Sequence, residues 1–431
     1  MAPQKTLFYT AAHSGFALER VPLGGGGTIA TWLEREWLKT EPFRLQMVRP
    51  DLLGADAPRE KDLIQYSELA YARFCRRFED VSTTALLRED PKQAIVLCND
   101  VSEGPDFRRL HEAGFSVFTI YHVDVVDYFC RIYLHGYIRP ETAAHFFDAW
   151  THSFLRGRIP NLLQLVFQKQ ADSVRYSKGL IVMSAAMKDM LLRCYPDLNP
   201  DKIKIVPWGL PEELSSSVIS DELVAARREL AEKYPVILES PVLISLSRIT
   251  PEKGQDRLLE ALALWEQKPD YPKAGVTYFL VGEAAYMQGQ RFAARLKKLA
   301  ARLHRTRVHF TGYLSGARKQ AILERGDLYV FPSRHESYGL TLLEAMRAGL
   351  PVLSTRTYGA VDMVTDAVGV LLPEVPDAKI PDLLQTSMAS LLSNRERLKL
   401  QGQAAKELAL TQRFSDSAAR LAAWLNHQTN K

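Results

Sequence analysis

Glu336 and Glu344 stand eight residues apart in the run HESYGLTLLEAMRAGLPVLST, which follows a short apolar segment, Leu328–Ser333. The segment reads as a strand, and the run as a turn into a helix that opens at Gly339–Leu340. One carboxylate then lies in the loop and the other about one turn inside the helix. A helix start offers backbone N–H donors that have no helical partner, which suits a phosphate. Two carboxylates beside it suit the hydroxyls of a sugar and of a ribose. The combination reads as a cradle for a nucleotide sugar.

A second cluster, SRITPEKG, follows the apolar run Val242–Ser247 and precedes a helix beginning near Gln255. It places Arg248 and Lys253 on one loop at the carboxyl end of a strand. Alone, they could be two solvated cations. Coupled with Glu336 and Glu344 at equivalent strand ends, they could neutralise a diphosphate, the arginine through paired hydrogen bonds and the lysine as a point charge.

The elements that must hold these groups follow one pattern. Short apolar runs alternate with helical stretches, which argues for parallel sheets built from strand–helix units. Strands are expected at Thr6–Thr10, Arg44–Val48, Ala94–Asn99, Ser116–His122, Gly179–Ser184 and Lys204–Pro207, with helices at Thr28–Lys39, Asp62–Phe78 and Ala185–Cys194 among them. A Ser- and Pro-containing stretch near Gly209–Ser220 has linker composition. The pattern then restarts with strands at Val242–Ser247, Thr277–Gly282, Val308–Gly312, Leu328–Ser333, Val352–Thr355 and Gly369–Pro373. Helices close the chain near Asn394–Leu410 and Asp416–His427. The expected fold class is α/β, with two Rossmann-like, doubly wound domains facing across a cleft. Their bounds are 1–208 and 221–412, joined by a linker at 209–220, with a C-terminal helix in 413–431 crossing back to the first domain. Ligands of such sheets bind beyond the carboxyl ends of the strands.

Composition narrows the function classes. The chain has 431 residues, 46% hydrophobic and 24% charged, with a net charge of +5, which indicates a soluble globular protein and no nucleic-acid partner. Cys75, Cys98, Cys130 and Cys194 have no close pairing, so reduced, buried thiols are expected rather than a zinc clip or disulfides. No apolar run approaches the roughly 20 residues of a membrane span, and the N-terminus lacks the apolar core of a signal peptide. The expected location is cytoplasmic, with peripheral contact at the inner face of the membrane left open.

The ordered set SRITPEKG, HFTGYL and FPSRHESYGLTLLEAMRAGLPVLSTRTYGAVDMV, together with IVMSAAM before the linker, resembles the family 4 retaining glycosyltransferases. The resemblance covers about residues 180 to 375 well and is weaker in the first half. It implies the two-domain fold called GT-B, with the nucleotide sugar held mainly by the C-terminal domain and the acceptor mainly by the N-terminal one. Carried over by position, Glu336 contacts hydroxyls of the donor sugar and Glu344 the ribose. Arg248 and Lys253 hold the diphosphate, and backbone amides near Tyr338, Gly339 and Leu340 face its distal phosphate. Gly312 and Tyr313 lie near the base pocket. Glu336, Arg248, Lys253 and His122 form the expected catalytic set.

The first half adds its own candidates. GGGGTIATWLE follows the first strand and opens a helix, as in the family's glycine loop, so Gly26 and Gly27 are expected to approach the ligand closely; a merely mobile loop is the alternative. His122 ends the strand SVFTIYH, where the family often has a histidine near the donor's anomeric carbon. Its expected role is a hydrogen bond to the donor sugar or an acceptor contact. Asp124 and Asp127 are expected to be solvated or to cap the next helix.

No Asp-x-Asp occurs. Arg248 and Lys253 can do a metal's electrostatic work, so no metal is expected, and no cofactor beyond the nucleoside-diphosphate sugar as co-substrate. Eight aromatics lie between Tyr128 and Phe154, interleaved with arginines. They could stack an acceptor sugar or touch a membrane, but packing on the sheet is the favoured account for most. Two departures from the family pattern stand out. Pro207-Trp208-Gly209-Leu210 replaces a Pro-Asn-Gly run followed by an acid, and Asp362 stands where a Glu is frequent, with helix capping as its expected role.

The expected activity is metal-independent, retaining sugar transfer from a nucleotide sugar to the hydroxyl of a saccharide, lipid-linked or small-molecule acceptor. Polysaccharide, lipopolysaccharide or glycolipid synthesis is the expected setting. A nucleotide-sugar epimerase of the same fold and a catalytically silent scaffold are the alternatives.

Overall fold

The structure is a computed structural model that describes residues 5–14, 24–58, 63, 66–151, 153–154, 158, 163–212, 221–237, 239–285 and 288–429. The chain forms two compact units, Met1–Trp208 with Phe414–Lys431, and Gly209–Arg413. Of the stretch expected to be a linker, residues 213–220 lie outside the described residues. Leu210 is bound into the second unit, its amide donating to the Gln412 carbonyl at 3.0 Å.

The first unit is built on a parallel sheet of six strands: β1 (Thr6–Thr10), β2 (Arg44–Val48), β3 (Ala94–Cys98), β4 (Ser116–Ile120), β5 (Gly179–Val182) and β6 (Ile203–Ile205), in the order β2-β1-β3-β4-β5-β6. The inner strands are continuous apolar runs because helices cover both faces of a parallel sheet. β3, AIVLC, is buried at every position. The helix expected at Asp62–Phe78 is observed at Glu68–Leu86. Ser67 fixes its start by accepting a hydrogen bond from the Ala70 amide, and the buried stripe Phe74, Cys75, Phe78 continues to Leu86. Residues 62, 64 and 65 of the expected span lie outside the described residues. All four cysteines are free and buried.

The helix Phe414–Thr429 completes this unit. Leu421 and Leu425 are fully buried, Trp37 Nε1 donates to the Ala418 carbonyl at 3.3 Å, and the Trp424 ring meets Phe118 edge-on.

The second unit repeats the plan with β7 (Val242–Leu246), β8 (Val276–Val281), β9 (Thr306–Gly312), β10 (Leu328–Phe331), β11 (Val352–Ser354) and β12 (Gly369–Leu371), in the order β12-β11-β10-β7-β8-β9. All its pairs are parallel. From β7 the chain moves out through β8 and β9, then returns to start again at β10 on the other side. The chain order therefore reverses between β7 and β10, the topological switch point where open α/β sheets bind ligands. In the first unit the reversal falls between β1 and β3.

None of the helices among the described residues is long and apolar enough to cross a membrane. The aromatic segment divides. Phe129 and Phe147 pack on Phe167, with ring centroids 5.7 and 5.0 Å apart, whereas Tyr137 and Phe154 are 90% and 94% exposed.

Candidate functional site

At the switch point of the second unit, the loops after β7 and β10 bring three sequence-identified charges together. Arg248 lies just past β7, and Lys253 ends the short turn Pro251–Lys253. Lys253 Nζ donates to Glu336 Oε2 at 2.6 Å, and Arg248 Nη2 lies 3.6 Å from Glu252 Oε1. Burial acts to raise the Glu336 carboxyl. Lys253 outweighs it, helped by His335 and Arg248, and the carboxyl is held below its ordinary range. Glu336 is thus an ionised acceptor at neutral pH.

The helix expected after this loop runs over Leu340–Arg347. Its N-cap, Gly339, has φ +96°, a left-handed conformation that glycine adopts without strain, so the chain can turn sharply from the Glu336 loop into the helix. Tyr338 is buried just before it, with its carbonyl packed against Gly359. Thr250, Ser333, Ser337 and Thr357, on the loops after β7, β10 and β11, carry buried hydroxyls with no hydrogen-bond partner among the described residues. Buried polar atoms are rarely left unmatched, and their clustering beside Lys253 and the helix start suits a polyoxygen ligand.

Glu344, in the helix, accepts a hydrogen bond from Lys319 Nζ at 2.7 Å. Lys319 was not foreseen; it sits in the helix Gly316–Leu323, in the segment SGARKQ that follows HFTGYL. Gly312 ends β9 with φ +75°, its carbonyl accepting from the Gly282 amide at 3.0 Å. The Tyr313 amide donates to Glu283 Oε1 at 3.4 Å. Asp362 lies inside the helix Tyr358–Met363 and caps no following helix, which corrects the expected role.

In the first unit, Gly26 and Gly27 fall in the first turn of the helix Gly25–Thr40. Asn99, after β3, donates from Nδ2 to the Gly26 carbonyl at 3.2 Å and to Asp100 Oδ2 at 2.7 Å. Its Oδ1 accepts from Tyr9 OH at 2.5 Å and lies 3.1 Å from His122 Nε2. A Cβ placed on Gly26 would come within 3.0 Å of Asp100 Oδ1 and 3.3 Å of His122 Cδ2, so all three border one spot. Burial pushes the His122 imidazole down to about 3, so it is neutral across the physiological range. Burial, with Glu103 adding to it, pushes the Asp100 carboxyl up to about 7. Behind Asp100, Glu103 is bonded to Tyr71 OH and lies 3.3 Å from His13 Nε2. Asn99 and Asp100 were not singled out, although the run AIVLCND puts them at the carboxyl end of a strand.

Asp124 and Asp127 are not solvated. Asp124 is buried and caps the helix Val125–Ile132 through the Asp127 amide, while the buried Asp127 carboxylate pairs with Arg131 at 2.9 Å. Trp208 is buried, stacked on His122 on one side and Phe414 on the other. Among the described residues no group of three or more His, Cys, Asp or Glu side chains could hold a metal ion.

The profile of the glycosyl transferases group 1 family matches residues 226–408, the span that contains Arg248, Lys253, Lys319, Glu336 and Glu344. The second unit is a group 1 glycosyltransferase domain. The GDP-mannose-dependent alpha-(1-6)-phosphatidylinositol monomannoside mannosyltransferase of Mycobacterium tuberculosis is 31% identical over 210 residues, 47% of this chain and 51% of the relative. The chain thus spans about half the length of the curated relatives it matches first. Among solved structures, Anabaena HepE in complex with UDP and glucose superposes with a TM-score of 0.62 at 14% identity, covering 98% of this chain and all of that one. WaaG, a glycosyltransferase involved in lipopolysaccharide biosynthesis, does so with a TM-score of 0.64 at 17% identity, covering 97% and 99%. These likenesses show the fold of the chain, two-domain α/β of the GT-B kind.

Proposed function

We propose that the protein is a retaining, metal-independent glycosyltransferase that moves a hexose-type sugar from a nucleoside-diphosphate donor to a hydroxyl of a glycolipid or polysaccharide precursor. The observation that carries it is the convergence of Arg248, the Lys253–Glu336 pair and the start of the helix Leu340–Arg347 at one switch point. Departure of a nucleoside diphosphate builds negative charge on its oxygens. Two fixed cations and a helix start stabilise that charge without a metal. Glu336 then takes hydroxyls of the donor sugar, and Glu344 those of the ribose. The mannosyltransferase relative uses GDP-mannose on a phosphatidylinositol glycolipid, HepE holds UDP and glucose, and WaaG serves lipopolysaccharide synthesis, which supports this donor and acceptor class.

The proposed route is front-face. The anomeric C–O bond to the diphosphate breaks, the acceptor oxygen bonds to the same face of the anomeric carbon, and its proton passes to the departing phosphate oxygen. Gly26, Asp100 and neutral His122 are the proposed acceptor contacts of the first unit.

Thermal shift with UDP, GDP and ADP picks the donor nucleotide: a ligand at a hundredfold excess over its Kd adds about 2.7 kcal/mol of stability. Transfer from the matching sugar donor in the presence of EDTA, with the product's anomeric configuration read by NMR, is expected to proceed with retention. An inverted product, or activity lost to EDTA and restored by a divalent ion, overturns the mechanism. Failure of every nucleotide to bind overturns the function.

A further inference from the structure

β7 and β10 are neighbours, but their pairing stops at Ile244 and Tyr329, before either strand reaches the residues of the site. Beyond that point the loop after β10 is tied to the turn after β7 by other bonds. The amides of Arg334 and His335 both donate to the Glu252 carbonyl, at 2.7 and 3.3 Å. The Arg334 guanidinium forks onto Asp256, Nη1 to Oδ1 at 2.7 Å and Nη2 to Oδ2 at 3.0 Å. The same Nη1 donates to the Pro251 carbonyl at 3.0 Å. Arg334 therefore grips the chain on both sides of Lys253 while standing two residues before Glu336.

Neighbouring contacts close the same gap. Arg257 Nη1 donates to the carbonyls of Pro332 and Ser333, at 2.9 and 3.1 Å. Gly254 has φ +64°, and a Cβ there would lie 2.0 Å from the Pro332 carbonyl oxygen, so only glycine lets the two backbones meet. Asp256 is 1% exposed, and Asp377 completes the cluster through both arginines. Taking this many charges out of water is costly, and apolar packing would tie down a loop at less expense. What the forked arginine supplies instead is a fixed distance and a fixed plane.

We propose that Arg334 is a positioning residue for sugar transfer: its fork onto Asp256 and its bond to Pro251 set Lys253 at bonding distance from Glu336. This rests on the transferase reading above. Arg334 acts through those two residues and not by touching the donor.

The test compares wild type with Arg334→Lys, Arg334→Met and Asp256→Asn. Lysine acylation followed by mass spectrometry reads each lysine separately and needs no activity. In Arg334→Met, Lys253 should label roughly tenfold faster, the change expected when one bond of about 1.4 kcal/mol is lost, while exposed Lys297 stays unchanged. The kcat for the donor should fall roughly 10- to 100-fold with KM little changed, as for loss of a charged hydrogen bond. Arg334→Lys, which keeps the charge but not the fork, should lie between. In a Glu336→Gln background, Arg334→Met should add little further loss. Unchanged Lys253 labelling in Arg334→Met overturns the proposal, and so does a uniform rise at all lysines with a fall in Tm. A wild type that turns over no nucleotide sugar sinks the transferase reading instead, while the labelling still decides whether Arg334 holds Lys253.

Discussion

Lys253 Nζ and Glu336 Oε2, 83 residues apart in sequence, meet at 2.6 Å with side chains only 11% and 18% exposed. A lysine held this way cannot take a diphosphate without sharing or releasing its carboxylate. The pair therefore links the proposed sugar contact to the proposed phosphate contact in one bond. Lys253→Met should lower kcat on the order of 10²–10³-fold, the loss typical of one group that stabilises developing charge. Steady-state kinetics on the matched donor checks it.

The same pair makes a stability prediction. The folded Glu336 carboxyl is held below its ordinary range, so its contribution is present above that range and is lost as pH falls through the folded value. The stability gap between wild type and Lys253→Met should be full at pH 7 and shrink below about pH 4. Urea unfolding at the two pH values measures it, and a gap that widens in acid contradicts it.

Lys319→Met should act differently. It removes the partner of Glu344, which lies on the ribose side of the proposed cradle, not at the reacting carbon. KM for the donor should rise roughly tenfold with kcat nearly unchanged, the mark of lost uniform binding. Titration calorimetry with the nucleoside diphosphate should show the same factor. An equal fall in kcat would move Lys319 into the chemistry.

The twelve strands among the described residues were legible, most of them as apolar runs, because inner parallel strands covered on both faces carry little but apolar side chains, whereas the edge strands β2 and β9 are more polar and more exposed. Glu336, Arg248 and Lys253 were legible because each follows a strand and precedes a helix start, and Glu344 because it lies about one turn inside the helix that follows Glu336. What the chain order hides is pairing across the sheet. That Lys253 meets Glu336, that Lys319 meets Glu344 and that Arg334 spans Pro251 and Asp256 follow from β10 returning beside β7, which no local pattern encodes. Asp100 was passed over for a related reason. An Asn-Asp pair after a strand reads as a turn until the Gly26 loop and His122 are placed beside it. The helix expected at Asp62–Phe78 is helical over Glu68–Phe78 and continues to Leu86, its start at Glu68 being fixed by the Ser67 cap.

Asp100 gives the pH dependence. Its carboxyl is pushed up to about 7 by burial and by Glu103, against a favourable His13. Neutral His122, on the same spot, does not titrate above about 3. If the Asp100 carboxylate accepts the bond from the acceptor hydroxyl, kcat/KM for the acceptor should rise through pH 7 and level off above it. Asp100→Asn should remove that inflection. Stability runs the opposite way. A raised acid holds its proton in the folded state, so its contribution is full below the ordinary carboxyl range and lost as pH rises through about 7. Asp100→Asn should therefore gain on wild type between pH 6 and pH 8 in denaturant unfolding. A wild-type profile flat from pH 6 to pH 8 removes Asp100 from the acceptor contacts.

The helix Phe414–Thr429 supplies a test that leaves the second unit's chemistry alone. It follows the second unit in sequence but belongs to the first, where Leu421 and Leu425 are fully buried and Trp37 donates to its Ala418 carbonyl. Leu425→Ala removes side-chain burial and leaves a cavity, for a loss of about 2–5 kcal/mol. Because the helix is the first unit's own core element, the loss should appear in that unit's unfolding transition. Nucleoside-diphosphate affinity, which the proposed function assigns to Arg248, Lys253 and Glu344 in the other unit, should stay within about twofold, well under the tenfold that 1.4 kcal/mol represents. Chemical denaturation followed by tryptophan fluorescence, paired with calorimetric titration of the nucleotide, separates the two effects. A nucleotide affinity that falls in step with stability would mean that the helix also supports the donor site.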